Sequence, residues 1–384
     1  MIEQEKKVSV GEENISQEKK DNKLTDAAKQ IRSELFELLT HPDVQNTKLS
    51  ETLKQSFLAY PSSLLNQLGF LTEEPVFKVH EDQRCHWGYE VSMAKKVLDH
   101  LPWIKEFFKA DDKFIADLLF MIFISDIGKA GPFEAKDGQP EAVVRRIFNQ
   151  AIFRKRHQQW LLECDPAKFH EELHESLAQI SKKTPENGIS DYDAIFKNGI
   201  FFMLPLEIYF YVLQQVASEE AGENEDLQRK SLELFSLSSE EREFLVNIGK
   251  DPKTTPMRYF FTTSHIQFGE FFLQRVGLLN KDQSSLVDMS LSHHFSQGIT
   301  ASLVDLNVVI NDQDWIKKVA FLEILDKFEA FLYRWRDQSL EEARKSAYNE
   351  IMFQLGKNYP KFPHLKDWYH EVFVGMETNG VLSR

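Results

Sequence analysis

Residues 111–132 read DDKFIADLLFMIFISDIGKAGP, and this stretch decides what kind of fold the chain adopts. Its long apolar run stops at Gly128, and Gly131 and Pro132 follow, which is typical of the end of a helix. We therefore predict a buried helix over 111–127, with Asp126 and Lys129 at its exposed end.

The composition of the whole chain indicates the same fold class. Only 16 Gly and 13 Pro interrupt 384 residues, whereas Phe alone contributes 31. This balance favours long helices over short strands joined by tight turns. We predict an all-α fold, with further helices over 84–101 (stopped by Pro102), 264–276, 283–294, 314–336, 340–355 and 365–374.

Composition shifts along the chain divide it into segments. Residues 1–23 are polar and predict a flexible tail, because they cannot bury enough apolar surface to offset the entropy of ordering. Residues 24–79 predict an N-terminal helical cap with breaks at Pro61 and Gly69. Residues 133–236 predict a helical insertion that contains an acidic solvated loop over 219–226. Residues 358–384 form a C-terminal segment.

Charge and cysteine content exclude several functions. The net charge of -14 and the pI of about 5.4 argue against non-specific nucleic-acid binding. Two cysteines cannot make a disulfide framework, which favours a reducing compartment. The apolar run 200–213 is short and contains Pro205 and Glu207, so no transmembrane segment is predicted. We predict a cytoplasmic protein, with export by a signal-independent route left open.

Five short segments combine histidines or carboxylates with the ends or apolar faces of predicted helices. Asp326 is surrounded by apolar residues and is costly to bury without a cation. Imidazole and carboxylate together suit Fe, Mn or Zn, and one carboxylate can bridge two ions. The candidate residues are Asp82 and His86, Asp126 and Lys129, His265, His293 and His294, and Asp326.

In this order the segments resemble the HD superfamily of metal-dependent phosphohydrolases, and more narrowly its HD-GYP branch. SDIGK at 125–129 is similar to the family's HDIGK, HIQFGEFFL at 265–273 to its HxxxGxxxL, and HHF at 293–295 to its HHE. The resemblance covers two blocks, 80–132 and 237–332, and implies a discontinuous HD-like helical bundle over 80–132 and 237–357.

The resemblance also implies roles for these residues. His86, Asp126 and Asp326 would ligate one divalent ion, and Asp126 would bridge to a second ion held by His265 and His293. His294 and Asp82 would be further ligands, and Lys129 would neutralise a substrate phosphate. The implied cofactor is one or two ions of Fe, Mn or Zn, with Mg as an alternative.

The chain departs from the family pattern at three points. Ser125 replaces the His of the doublet, and a hydroxyl is a poorer ligand than imidazole. Phe295 replaces the Glu of HHE, and no GYP follows. These departures imply a weakened first metal site and count against cyclic di-GMP as the substrate.

Each motif also has a purely structural interpretation. His86 can pack or cap a helix, Asp126 can cap a turn, and His293 and His294 can favour a helix dipole. Lys129 can be solvated.

The leading prediction is a metal-dependent phosphohydrolase or phosphodiesterase acting on a nucleotide or another phosphorylated small molecule. The main alternative is a degenerate HD-GYP-like module that binds a nucleotide, or a protein partner through the insertion, without turnover. A di-iron oxygenase of the same fold is a third possibility.

Overall fold

The computed structural model describes residues 24–73, 85–132, 138–150, 204–278, 284–334 and 339–383. All regular secondary structure within these ranges is helical, and they contain no strand, so the predicted all-α class is confirmed. The predicted tail over 1–23, the candidate ligand Asp82 and residues 151–203 of the predicted insertion lie outside the described residues.

Three helices form the N-terminal segment: α1 (Asp26–Glu37), α2 (Lys48–Ala59) and α3 (Ser62–Gly69). Side-chain oxygens of Thr25 and Thr47 accept backbone N–H groups in the first turns of α1 and α2, as N-cap residues do. The predicted break at Pro61 is the N-cap of α3. Helix α1 packs on α3, and α2 packs on the apolar helix Asp112–Ser125, which is described next.

The central helices are α4 (His86–Asp99), α5 (Leu101–Phe107) and α6 (Asp112–Ser125), and a 3-10 turn (Ile127–Ala130) follows α6. The prediction that Pro102 stops a helix was wrong in detail, because α4 ends earlier and Pro102 lies in the first turn of α5. That position needs no backbone donor, so proline is well tolerated there.

Between the two blocks lie α7 (Val143–Gln150), α8 (Leu206–Ala221) and α9 (Glu225–Leu234), and α10 (Ser239–Asn247) begins the second block. The predicted acidic loop over 219–226 was wrong, because α8 and α9 occupy most of it and leave a turn at 222–224. Helices α7, α8 and α10 share an apolar cluster that includes Phe148, Tyr209 and Leu245, and Phe268 joins it from the C-terminal half.

The C-terminal half contains α11 (His265–Arg275), α12 (Ser284–Leu291), α13 (Leu306–Val309), α14 (Gln313–Arg334), α15 (Leu340–Asn358) and α16 (His364–Thr378). The strongly apolar α14 packs against α4, α12, α15 and α16. This packing buries Phe321, Ile324, Leu325 and Phe328 in the main core. Within the described ranges, no helix is long and apolar enough to cross a membrane.

Candidate metal centre

Three buried or half-buried histidines, one at the start of α11 and two in the turn after α12, form a compact group. One nitrogen from each of His265, His293 and His294 lies within 4.8 Å of the others. His265 opens α11 directly after a π-helical turn (Phe260–Ser264), and the other two follow the end of α12. π-Helical turns often occur at functional sites because they re-aim side chains within a helix. We call these three residues the histidine group.

Backbone carbonyls fix the ring orientation of two members of this group. Nδ1 of His265 lies 2.8 Å from the Phe261 carbonyl oxygen, and Nδ1 of His293 lies 2.8 Å from the Ser290 carbonyl oxygen. A carbonyl oxygen only accepts hydrogen bonds, so each Nδ1 donates a proton to it and the Nε2 atoms of the two rings face each other. Outer contacts of this kind are typical of metal-binding histidines.

The two Nε2 atoms of His265 and His293 are 3.4 Å apart. Two lone pairs at this distance repel unless a proton or another cation lies between them. Burial lowers the pKa of His265 well below its usual value, and the nearby Lys129 and His293 lower it further, so a proton is disfavoured there. With the third ring, His294, these two nitrogens form a donor set that can hold a metal ion.

Asp126 and Lys129 lie beside the histidine group and are both buried, so the prediction that they occupy an exposed helix end was wrong. Lys129 lies in the 3-10 turn that follows α6, and this turn packs against α11. Lys129 Nζ forms an ion pair with Asp126 Oδ2, and His86 Nδ1 lies 3.9 Å from the same oxygen. Burial alone would raise the pKa of Asp126, but Lys129, His293, His265 and His86 lower it, and the carboxylate stays ionised.

The second carboxylate oxygen of Asp126 has a different environment. Asp126 Oδ1 is fully buried and accepts no hydrogen bond within the described part of the chain, yet it lies 3.7 Å from His293 Nε2. His294 Nδ1 is also buried without a hydrogen-bond partner there. Buried polar atoms left in this state are costly unless a ligand satisfies them.

Two glycines allow the Asp126 turn to reach the histidine group. A Cβ on Gly128 would lie 1.6 Å from the His265 carbonyl oxygen and 2.5 Å from the Gly269 backbone nitrogen. Only glycine fits such a close approach of two backbones. The spacing of Asp126 to Gly128 and of His265 to Gly269 therefore has a packing reason as well as a chemical one.

Helix α7 of the segment between the two blocks forms one wall of the site. His86 Nε2 lies 3.3 Å from the Phe148 carbonyl oxygen, and the Phe148 ring makes an edge contact with His265 at 5.9 Å. His86 is thus positioned by both Asp126 and α7, and it stands outside the histidine group.

The other candidate positions have different surroundings. Asp326 is half-buried on α14, and its negative charge, together with that of Asp126, acts on Glu90 of α4. The Ser125 hydroxyl donates to the Ile122 carbonyl oxygen at 2.8 Å, so it is engaged within its own helix. Phe295 packs in the core, where its ring stacks on Tyr359.

Sequence reasoning missed Glu90, which is fully buried on α4 one helical turn after His86. Burial raises the pKa of Glu90 well above its usual value, and the negative charges of Asp126 and Asp326 add to this effect. The i, i+4 spacing from His86 was the available signal, because it places both side chains on one helix face.

Neither a protein-family model, nor a curated protein, nor a solved structure matches this chain. The protein is thus defined by its own geometry: an all-α fold with a buried histidine group that can hold a metal ion.

Proposed function

We propose that the chain is a metal-dependent phosphohydrolase or phosphodiesterase of HD type, acting on a nucleotide or another phosphorylated small molecule. The observation that carries the proposal is the buried histidine group, in which the Nε2 atoms of His265 and His293 lie 3.4 Å apart. His294 and Asp126 Oδ1 complete a mixed imidazole and carboxylate donor set, which suits Fe, Mn or Zn.

A divalent ion bound there would supply a Lewis acid that activates water and polarises a phosphoryl oxygen. Asp126 Oδ1, as part of this donor set, would help to hold the ion next to the histidine group. Lys129 carries the cation closest to Asp126 and neutralises charge on the phosphate. The fold thus gives the two residues different tasks although they are three positions apart. His86 and Asp326 remain candidate ligands for a second ion.

Metal content tests the proposal directly. Wild-type chain purified without chelator is expected to contain about one equivalent of Fe, Mn or Zn by elemental analysis. His265→Ala is expected to lose this metal. His370→Ala is the control and is expected to retain it, because His370 is an exposed residue of α16 that forms a hydrogen bond with Tyr348. Equal metal content in the two variants, or none in the wild type, would contradict a metal centre at the histidine group.

Turnover is tested on the metal-loaded chain with bis-p-nitrophenyl phosphate, p-nitrophenyl phosphate and a panel of nucleotides. Hydrolysis that requires the metal and fails in His265→Ala is the expected result. Bound metal without hydrolysis of any phosphoester would contradict the enzymatic part of the proposal.

One observation favours a second candidate, a degenerate module that binds a nucleotide or protein partner without turnover. Asp126 Oδ2 forms an ion pair with Lys129, and the Ser125 hydroxyl donates to the Ile122 carbonyl oxygen. Asp126 and Ser125, which correspond to two positions of the family's first metal site, therefore already have partners within the protein. This candidate predicts that nucleotides raise the melting temperature of the metal-loaded chain and yield no product.

A further inference from the structure

A second buried polar cluster lies directly behind the histidine group, on the turn that follows His293 and His294. Glu323 of α14 is fully buried and accepts three hydrogen bonds. Its Oε2 accepts from the Ser296 backbone N–H at 3.0 Å and from the Tyr369 hydroxyl at 2.8 Å, and its Oε1 accepts from the Ser296 hydroxyl at 2.5 Å. We call Glu323, Ser296 and Tyr369 the Glu323 network.

The remaining polar group of Ser296 is also held. Its carbonyl oxygen accepts from the Asn358 side chain at 2.9 Å. Every hydrogen-bonding group of this residue is therefore bound by α14 or α15, and Ser296 lies two positions after His294 in the same turn. The preceding ring, Phe295, is stacked on Tyr359 and is fully buried. The chain after the two histidines thus has little freedom to move.

We propose that Glu323 is a positioning residue, which acts through Ser296 to hold His293 and His294 in the orientation that binds metal. This inference rests on the proposed metal centre. Its physical basis is that residues behind metal ligands fix ring orientation, and that losing one typically costs 10- to 100-fold in metal affinity.

Hydrogen bonds to the turn, rather than the negative charge, are the essential feature. In Glu323→Gln the amide oxygen can replace Oε2 and still accept from the Ser296 N–H and from Tyr369. The amide nitrogen can replace Oε1 and donate to the Ser296 hydroxyl, which reverses its own role. Gln therefore preserves all three contacts, whereas Leu removes all three and leaves the Ser296 N–H buried without a partner.

The experiment titrates each chain with Co²⁺ and records the dissociation constant and the visible absorption spectrum, together with the melting temperature in chelator. Glu323→Leu is expected to bind Co²⁺ at least tenfold more weakly than wild type and to show an altered spectrum. Glu323→Gln is expected to stay within about threefold of wild type and to keep the wild-type spectrum. Tyr369→Phe is the matched control, because it removes a hydrogen bond to the same carboxylate without touching the turn. It is expected to lower the melting temperature and to leave Co²⁺ affinity within about threefold.

The inference is overturned if folded Glu323→Leu binds Co²⁺ as wild type does, or if Glu323→Gln or Tyr369→Phe binds as weakly as Glu323→Leu. If Glu323→Leu does not fold, Ser296→Ala decides, since it removes only the hydroxyl contact. A loss of affinity of about threefold or more supports the inference, and unchanged affinity overturns it. A wild-type chain that takes up no Co²⁺ removes the metal centre itself, which distinguishes that failure from a failure of the positioning role.

Discussion

The histidine group and the Glu323 network are both buried in the same helical core, yet they differ in how their polar atoms are satisfied. Glu323 accepts three hydrogen bonds of 2.5 to 3.0 Å, and its partners are protein groups. At the histidine group, Asp126 Oδ1 and His294 Nδ1 have no hydrogen-bond partner among the described residues, and the Nε2 atoms of His265 and His293 lie 3.4 Å apart.

The difference separates a structural cluster from a binding site. A satisfied buried network holds two elements in one arrangement, whereas an unsatisfied one is stable only if a ligand completes it. The fold places the satisfied network directly behind the unsatisfied one. The four predictions below break or sharpen this contrast, and they are arranged from the largest expected effect to the smallest.

The largest effect is expected from Gly128→Ala, which would push the Asp126 turn away from the histidine group. The new Cβ would lie 1.6 Å from the His265 carbonyl oxygen, and backbone atoms cannot yield as a flexible side chain can. We expect a loss of about 3–5 kcal/mol in unfolding free energy by urea denaturation, or failure to fold.

Gly356→Ala is the matched control for this substitution. In α15 a Cβ at that position meets only the end of the Lys366 side chain, which can move. A gain of up to about 1 kcal/mol is expected, because alanine favours a helix interior over glycine. Equal losses in the two variants would contradict the close backbone approach at Gly128.

A loss of about 3 kcal/mol is expected from Asp126→Asn, measured by urea denaturation in the presence of chelator. The substitution leaves the buried Lys129 ammonium without its ion-pair partner, and breaking a buried pair from one side costs about 3–5 kcal/mol. Asp126→Asn/Lys129→Met is expected to recover much of the loss, since it removes both charges. A double variant as unstable as the sum of the two single variants would show that the pair is not coupled.

The pH dependence of the unfolding free energy tests the Glu323 network. Burial raises the pKa of Glu323 to about 7, and the nearby Lys327 and the hydrogen bonds from Ser296 and Tyr369 oppose the rise. The pKa of a glutamate in the unfolded chain is about 4.3. The folded state therefore binds the additional proton, and the contribution of Glu323 to stability falls as the pH rises from about 4.3 to 7.

The comparison is wild type against Glu323→Gln, which does not titrate. The unfolding free energy of wild type relative to this variant is expected to decrease by up to about 3 kcal/mol between pH 4.5 and 7.5. The difference isolates Glu323 from the buried His265 and His294, whose lowered pKa values act in the opposite direction. A difference that is independent of pH would contradict the raised pKa of Glu323.

The smallest effect is expected at a solvated polar contact remote from both clusters. Ser238 caps α10 in a capping box, accepting from the Glu241 N–H while the Glu241 side chain accepts from the Ser238 N–H. Ser238→Ala is expected to cost about 1 kcal/mol in unfolding free energy and to leave the metal content unchanged. Loss of metal in this variant would show that the two regions are coupled.

Much of the fold could be predicted from sequence because helix signals are local. The predicted helix over 314–336 corresponds to α14 (Gln313–Arg334), and that over 264–276 corresponds to α11 (His265–Arg275). The elements that were predicted wrongly were those whose helical state depends on the adjacent segments. Pro102 starts a helix instead of stopping one, and the acidic 219–226 stretch is mostly helical because α8 and α9 pack on each other.

The candidate site was predicted only in part. The sequence order singled out His265, His293 and His294, which the structure places together, and Asp126, which lies beside them. Sequence reasoning gave no reason to select Glu90 and Glu323. Their environments depend on which helices pack against α4 and α14, and these contacts join residues far apart in the chain.

The sequence by itself determined the all-α class, the main helices and the list of residues with metal chemistry, because apolar periodicity and residue type are properties of the chain. Tertiary structure alone decided that Asp126 and Lys129 are buried as a pair and that the Nε2 atoms of His265 and His293 lie 3.4 Å apart. It also decided that Glu323 reaches the turn behind them. Burial, pKa and lone-pair direction arise when separate helices exclude water from a shared space, and no local pattern specifies that space.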